Sequence, residues 1–259
     1  VIVKKSRDEI ATMARAGAVV ARAHEAVREA LRPGMTTLDL DRIAEKVIVG
    51  EGAVPSFKGY RGFPATLCTS VNDQIVHGIP SPDARFDEGD VVSIDCGAIV
   101  DGFHGDSAVS WIVGGEQAAD PAVRALVHDT REAMWAGLRA CDVGNRLGDV
   151  SAAIETVGTE HGHGIVRGYT GHGIGRALHE DPSVPNHGRV GRGMKLTAGL
   201  VLAIEPMFNQ GGHETEQLDD GWTVVTLDGS VSAHWEHTVA ITPDGPWILT
   251  ARNGEPHRL

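Results

Sequence analysis

Four acids and one histidine stand where they could hold metal ions: Asp95, Asp106, His172, Glu205 and Glu236. Asp95 closes the apolar run Val91-Val92-Ser93-Ile94, and Glu205 closes Val201-Leu202-Ala203-Ile204. An acid at the end of a buried strand is costly unless its charge is compensated. For either acid alone, a surface position or an arginine partner is the plainer explanation. Four acids in matched places change the balance. If they converge, repulsion forces at least one to keep its proton, and bound cations remove the conflict. Four carboxylates and an imidazole can satisfy two divalent ions with bridging oxygens. Oxygen-rich ligation with one nitrogen and no thiolate suits catalytic manganese, iron(II), cobalt or zinc more than structural zinc.

His172 lies in Thr170-Gly171-His172-Gly173-Ile174-Gly175, where flanking glycines predict a sharp turn and an accessible ring. The glycines could also suggest a nucleotide loop, but that reading is weak, because the stretch lacks dinucleotide-loop spacing and a Walker lysine. His77 and His179 each precede a proline-containing turn. Beside a metal pair, such imidazoles can hydrogen-bond a substrate carbonyl, an amide or a tetrahedral intermediate. For either alone, a structural histidine is the plainer reading. His161 and His163 read as loop residues closing a helix.

The elements that must position these residues occur twice. Ser6-Arg7-Asp8-Glu9 is a capping box opening a helix, which Arg32-Pro33-Gly34 ends. A second helix starts near Thr37 and closes at Gly50 to Gly52. Strands are predicted at 66–70, 74–77, 91–95 and 107–113, the last two separated by a Gly-rich stretch. The order then restarts. Asp120-Pro121 opens a helix to about Ala140, and another runs from about Leu147 to Glu160. Strands resume at 201–205, 222–227 and 236–242, with 211–220 left as an exposed loop.

The wording of the halves also matches. Gly89 to Asp95 parallels Gly199 to Glu205, and Phe103-His104-Gly105-Asp106 parallels Ala233-His234-Trp235-Glu236. His77-Gly78-Ile79-Pro80 parallels His179-Glu180-Asp181-Pro182. We expect an α+β chain forming a single catalytic domain, residues 1–259, with pseudo-symmetric halves at about 1–118 and 119–259.

Composition narrows the partners. A net charge of −12 argues against nucleic acid or an anionic membrane, which need a basic surface. Three cysteines match no disulfide or zinc framework, which points to a reducing, cytoplasmic compartment. No apolar run approaches transmembrane length, and Val1 to Lys5 show no signal-peptide core.

Taken together, these residues resemble the type I methionine aminopeptidases. The family's ligand order of Asp, Asp, His, Glu, Glu falls on Asp95, Asp106, His172, Glu205 and Glu236. Its surrounding words fall on Ser70-Val71-Asn72, His77-Gly78-Ile79-Pro80, Asp95-Cys96-Gly97, His179-Glu180, Ile204-Glu205-Pro206 and Glu236-His237-Thr238. The likeness runs from about Ser6 to Thr250. It implies the pita-bread fold, two helix-helix-strand halves around a central antiparallel sheet, and two divalent ions.

By that resemblance Asp106 and Glu236 bridge the ions, His172 and Glu205 complete one, and Asp95 holds the other. A bridging water or hydroxide attacks the first peptide bond, with Glu205 handling its proton. His77 contacts the scissile amide region and His179 the carbonyl oxygen. Tyr60, Phe63, Cys68 and Trp222 form the side-chain pocket beside Leu178. Leu178 stands where many relatives have phenylalanine, and Phe57 where some have cysteine. The implied substrate is the N-terminal methionine of nascent polypeptides, met near the ribosome by a monomeric enzyme. The nearest rival is a prolidase or aminopeptidase P, which usually carries an additional N-terminal domain. A non-catalytic pita-bread binding module typically loses metal ligands, and all five are present here.

Overall fold

The computed structural model describes the whole chain, Val1–Leu259. The first half runs α1 (Arg7–Ala30), α2 (Thr37–Gly50), β1 (Val54–Pro55), β2 (Leu67–Val71), β3 (Gln74–Val76), β4 (Val91–Val100) and β5 (Phe103–Ile112). The second runs α3 (Pro121–Arg139), α4 (Leu147–Glu160), β6 (Gly164–Ile165), β7 (Gly171–Gly173), β8 (Glu180–Val184) and β9 (Val201–Ile204). It continues with β10 (Met207–Asn209), β11 (Thr215–Gln217), β12 (Val224–Thr226), β13 (Ser232–His234), β14 (His237–Thr242) and β15 (Gly245–Ile248). Helix, helix, then strands occurs twice, as the repeat requires.

The helices start where their caps dictate. Ser6 Oγ accepts from the Glu9 N–H at 3.3 Å, and the Glu9 carboxylate accepts from the Ser6 N–H at 2.8 Å. Thr36 and Asp39 repeat the exchange at α2. Each pair satisfies donors that a helix start leaves open. The buried stripe of α1, including Met13, Val20 and Val27, faces β4 and β5. Leu126, Met134 and Leu138 of α3 and Ile154 of α4 join Ile204 and Phe208 in the same core.

Every strand pairing is antiparallel. β4 is flanked by β1 and β2 on one edge and by β5 on the other. The second half builds the five-stranded order β15-β14-β9-β7-β8. The two hairpins meet at β5 and β14. The Glu236 N–H donates to Ala108 O at 2.9 Å, and Thr238 Oγ1 both donates to Asp106 O and accepts from its N–H.

Three sequence expectations are corrected. β4 and β5 are longer than expected, and no Gly-rich stretch separates them. Both continue through Gly97 and Gly105 to a tight turn at Asp101-Gly102, whose φ values are 50° and 78°. Gly105 is in the strand because α1 lies almost in backbone contact with it. A Cβ there would sit 2.7 Å from Gly17 N. The segment 211–220 is also not all loop, since β11 pairs with β12. The third correction concerns His172 and belongs with the site.

Candidate functional site

Strand parity aims the first pair of acids. Asp95 pairs with Ala108, and Asp106 pairs with Gly97. They are diagonal neighbours two residues apart, and so share one face of the hairpin. In the second half Ile204 pairs with His237, so the next positions in that register are Glu205 and Glu236. His172 and Thr238 both pair with Ala203, two residues from Glu205. His172, Glu205 and Glu236 therefore point to a common face, opposed to the first pair across the β5–β14 junction.

The expected glycine turn at His172 is a strand, and its ring is buried. The glycines make room rather than a bend. A Cβ at Gly171 would meet Ala203 O at 2.4 Å, and one at Gly173 would meet Asp181 O at 2.1 Å. His172 is thus held between β8 and β9 at close range.

Ligand atoms of Asp106, His172 and Glu236 lie within 4.8 Å of one another. His172 Nε2 is 3.4 Å from Glu205 and 4.0 Å from Asp106. His172 Nδ1 faces the Gly173 carbonyl at 2.9 Å, and a carbonyl only accepts. Nδ1 therefore carries the proton and Nε2 keeps its lone pair for a cation. Burial lowers the ring's pKa to about 3, so it is neutral.

The acids are strained electrostatically. Burial pushes Asp95 up to about 7, with Glu205 adding to the effect. Burial also raises Asp106, Glu205 and Glu236 well above the carboxylate range, and neighbouring acids push Asp106 and Glu236 further. Asp95 Oδ1, Asp106 Oδ1 and Glu236 Oε1 are buried with no hydrogen-bond partner. Buried, unpartnered and mutually repelling carboxylates beside a lone-pair-bearing imidazole fit hard divalent cations.

All the candidate ligand, catalytic and pocket residues drawn from the sequence line one cavity of about 410 Å3 with this cluster in its wall. Tyr60 Oη lies 2.8 Å from His179 Nδ1. The His179 ring stands 4.3 Å from that of His172. His77 has a φ of 61°, a conformation uncommon outside glycine. Gly78 beside it has no room for a side chain, since a Cβ would lie 2.2 Å from Thr69 O. Burial lowers the pKa of His77 to about 4 and that of His179 as well. Phe63 and Trp222 meet edge to face at 5.1 Å, near buried Cys68, Phe57 and Leu178.

Sequence reasoning assigned no role to His234, Tyr169 or Met207, and all three line the cavity. His234 is fully enclosed, with Nε2 3.5 Å from Glu205. Its place two residues before Glu236 was the available signal. Its counterpart His104 instead bonds Ser56 Oγ at 2.9 Å, outside the cavity. His161 and His163 also lie outside it, and His163 Nε2 bonds Asp129 at 2.9 Å.

Such a fold around such a cluster defines a pita-bread metallopeptidase. The chain belongs to metallopeptidase family M24, whose model matches residues 11–243. Membership implies divalent metal ions. The chain is 55% identical to methionine aminopeptidase 1 of Mycobacterium tuberculosis over 257 residues, which is 96% of this chain and 95% of that one. It superimposes on a methionine aminopeptidase from Thermotoga maritima with a TM-score of 0.94 at 43% identity, covering 97% and 100% of the two chains. The resemblance drawn from the sequence holds over nearly the full length. A prolidase from Pyrococcus furiosus shares the fold alone, at 22% identity and a TM-score of 0.76, and only 66% of its chain is covered. No helix is long and apolar enough to cross a membrane.

Proposed function

We propose that this protein is a metal-dependent aminopeptidase that removes the N-terminal methionine from nascent proteins and peptides. The observation that carries this reading is the meeting of ligand side chains from both halves in the wall of one aromatic cavity. The same chemistry runs in its full-length relatives, by their names. The chain acts as one catalytic domain, residues 1–259, because both halves supply ligands.

Asp95, Asp106, His172, Glu205 and Glu236 would hold the two ions. Bound there, the ions supply a water nucleophile at neutral pH and Lewis acidity toward the scissile carbonyl. Glu205 takes the proton of the attacking water and delivers it to the leaving amine. With the Tyr60 hydroxyl donating to His179 Nδ1, the ring is held in the tautomer whose Nε2–H can donate to the carbonyl oxygen. His77 contacts the scissile amide. Phe63, Cys68, Leu178 and Trp222, with Phe57 and Tyr60 at the rim, enclose a thioether well, since sulfur is polarizable and packs favourably on ring edges.

The ions are two in number and drawn from cobalt, manganese, iron(II) and zinc. The enzyme works in the cytoplasm as a monomer on chains leaving the ribosome. The deciding experiment is cleavage of a methionine-initiated peptide series with varied second residues, run with each metal. Release of methionine from peptides with small second residues is expected. Release only before proline would replace this reading with a prolidase or aminopeptidase P. Bound metal without any cleavage would replace it with a binding module.

A further inference from the structure

A second cavity, of about 650 Å3, shares no lining residue with the first. That volume falls within the usual range for small-molecule sites. It lies behind the metal cluster, between the C-terminal part of α1, the start of α3, β5 and the segment 252–255. Its wall supports two of the proposed ligands. Arg252 Nη1 donates to Ser107 Oγ at 3.0 Å, and Ser107 Oγ donates to Glu236 O at 2.7 Å. Ser107 follows Asp106, and Trp235 precedes Glu236.

The chemistry of this wall is unlike that of the acidic chain around it. Four arginines (Arg28, Arg124, Arg131 and Arg252) face three glutamates, on a chain of net charge −12. Glu255 is the only one of those glutamates paired with arginine, accepting from Arg252 at 3.1 Å with Arg131 at 3.8 Å. Arg28 and Arg124 have no acidic partner within 4.0 Å. Two indoles, Trp111 and Trp235, supply flat apolar surface, and the guanidiniums of Arg131 and Arg252 each lie 5.5 Å from the Trp235 ring.

Three buried polar atoms of lining side chains have no partner: Arg131 Nε, Trp235 Nε1 and His24 Nδ1. The first two can only donate. His24 Nε2 donates to Ser107 O at 2.8 Å, and burial keeps the ring neutral, so Nδ1 accepts. His24 and Trp235 are more than nine-tenths buried, so bulk water does not readily compensate them.

We propose that this cavity is a second ligand site for a small organic oxyanion, a phosphate or carboxylate joined to a flat ring. The guanidiniums take the oxyanion and the indoles take the ring. The proposal is independent of the peptidase reading, since it uses none of the residues of the catalytic cavity.

The test is calorimetric titration of the metal-loaded protein with phenyl phosphate, benzoate and inorganic phosphate, in the presence of excess methionine to fill the catalytic cavity. One-to-one binding of at least one aromatic anion is expected, with inorganic phosphate about ten-fold weaker or more. In the double variant Arg28→Ala/Arg124→Ala, binding should weaken about ten-fold or more while the thermal melt and peptidase rate stay unchanged. Both arginines lack acidic partners, so their loss leaves no buried charge. Arg131→Lys provides a second check, replacing the planar guanidinium but keeping the charge, and should also weaken binding. Equal binding of inorganic and phenyl phosphate would overturn the ring subsite. Undiminished binding in both variants, or no binding at all, would overturn the site itself.

Discussion

In the proposed mechanism Tyr60 and His179 divide a task between them. The Tyr60 hydroxyl engages His179 Nδ1 at 2.8 Å, and only the other nitrogen is left for substrate. His179→Ala should lower kcat about 10²-fold while metal content stays normal. Tyr60→Phe should cost about five-fold in kcat, matching one hydrogen bond of about 1 kcal/mol. Metal loss in His179→Ala would show that His179 is a ligand. His172→Ala and Glu205→Gln act differently, because each removes a donor from the cluster in which Nε2 and Oε1 stand 3.4 Å apart. Both should lose turnover and bind less metal by elemental analysis, and full activity in either would sink the ligand assignment. The candidate ligands were legible in the sequence because metal ligation demands particular side-chain types, although Asp95, Asp106 and His172 lie inside strands and not at strand ends. His234 was not. An imidazole two residues before an acid occurs in both halves, and only packing decides that His234 faces Glu205 while His104 turns to Ser56.

Glycines mark the difference between what pattern and packing reveal about the elements. The helices were readable to within a residue or two because capping boxes and proline announce their starts. The strands were less so. Glycine lowers strand propensity, so Gly97, Gly105, Gly171 and Gly173 read as loop. Each sits in a strand because another chain segment passes too close for a Cβ. This has a measurable consequence. At Gly17 of α1 a Cβ would lie 2.1 Å from Leu249 O, a backbone atom that cannot swing away. Gly17→Ala should therefore destabilise by about 3 kcal/mol, or roughly 10 °C in Tm. Gly50→Ala, at the end of α2 with nothing within 4 Å, should be neutral or stabilising by up to about 1 kcal/mol. Equal melting of the two variants would refute the close-approach explanation for glycine in α1.

At the scale of the molecule, the cost of assembling the acids is borne by the fold until cations arrive. Asp95 is pushed up to about 7, and Asp106, Glu205 and Glu236 are also raised well above the carboxylate range, with burial the leading cause throughout. An acid raised in the folded state holds its proton there after the unfolded chain has released its own. Its contribution to stability is full below the unfolded pKa and is lost as pH rises through the folded value. Metal-free protein should therefore lose stability from about pH 4 upward through neutrality. Buried histidines oppose this. His24, held at about 3, and His237, held at about 4, bind fewer protons folded than unfolded and make stability rise with pH up to their unfolded value. They lie outside the cluster and act alike in both forms, so comparison of metal-loaded with metal-free protein removes them. The gap in Tm between the two forms should widen steadily from pH 5 to pH 7.5, because cations replace the protons that the carboxylates would otherwise keep. Differential scanning calorimetry with and without a chelator measures that gap directly. A gap independent of pH would mean that the acids are already ionised without metal, and that the fold pays no electrostatic cost for holding them together.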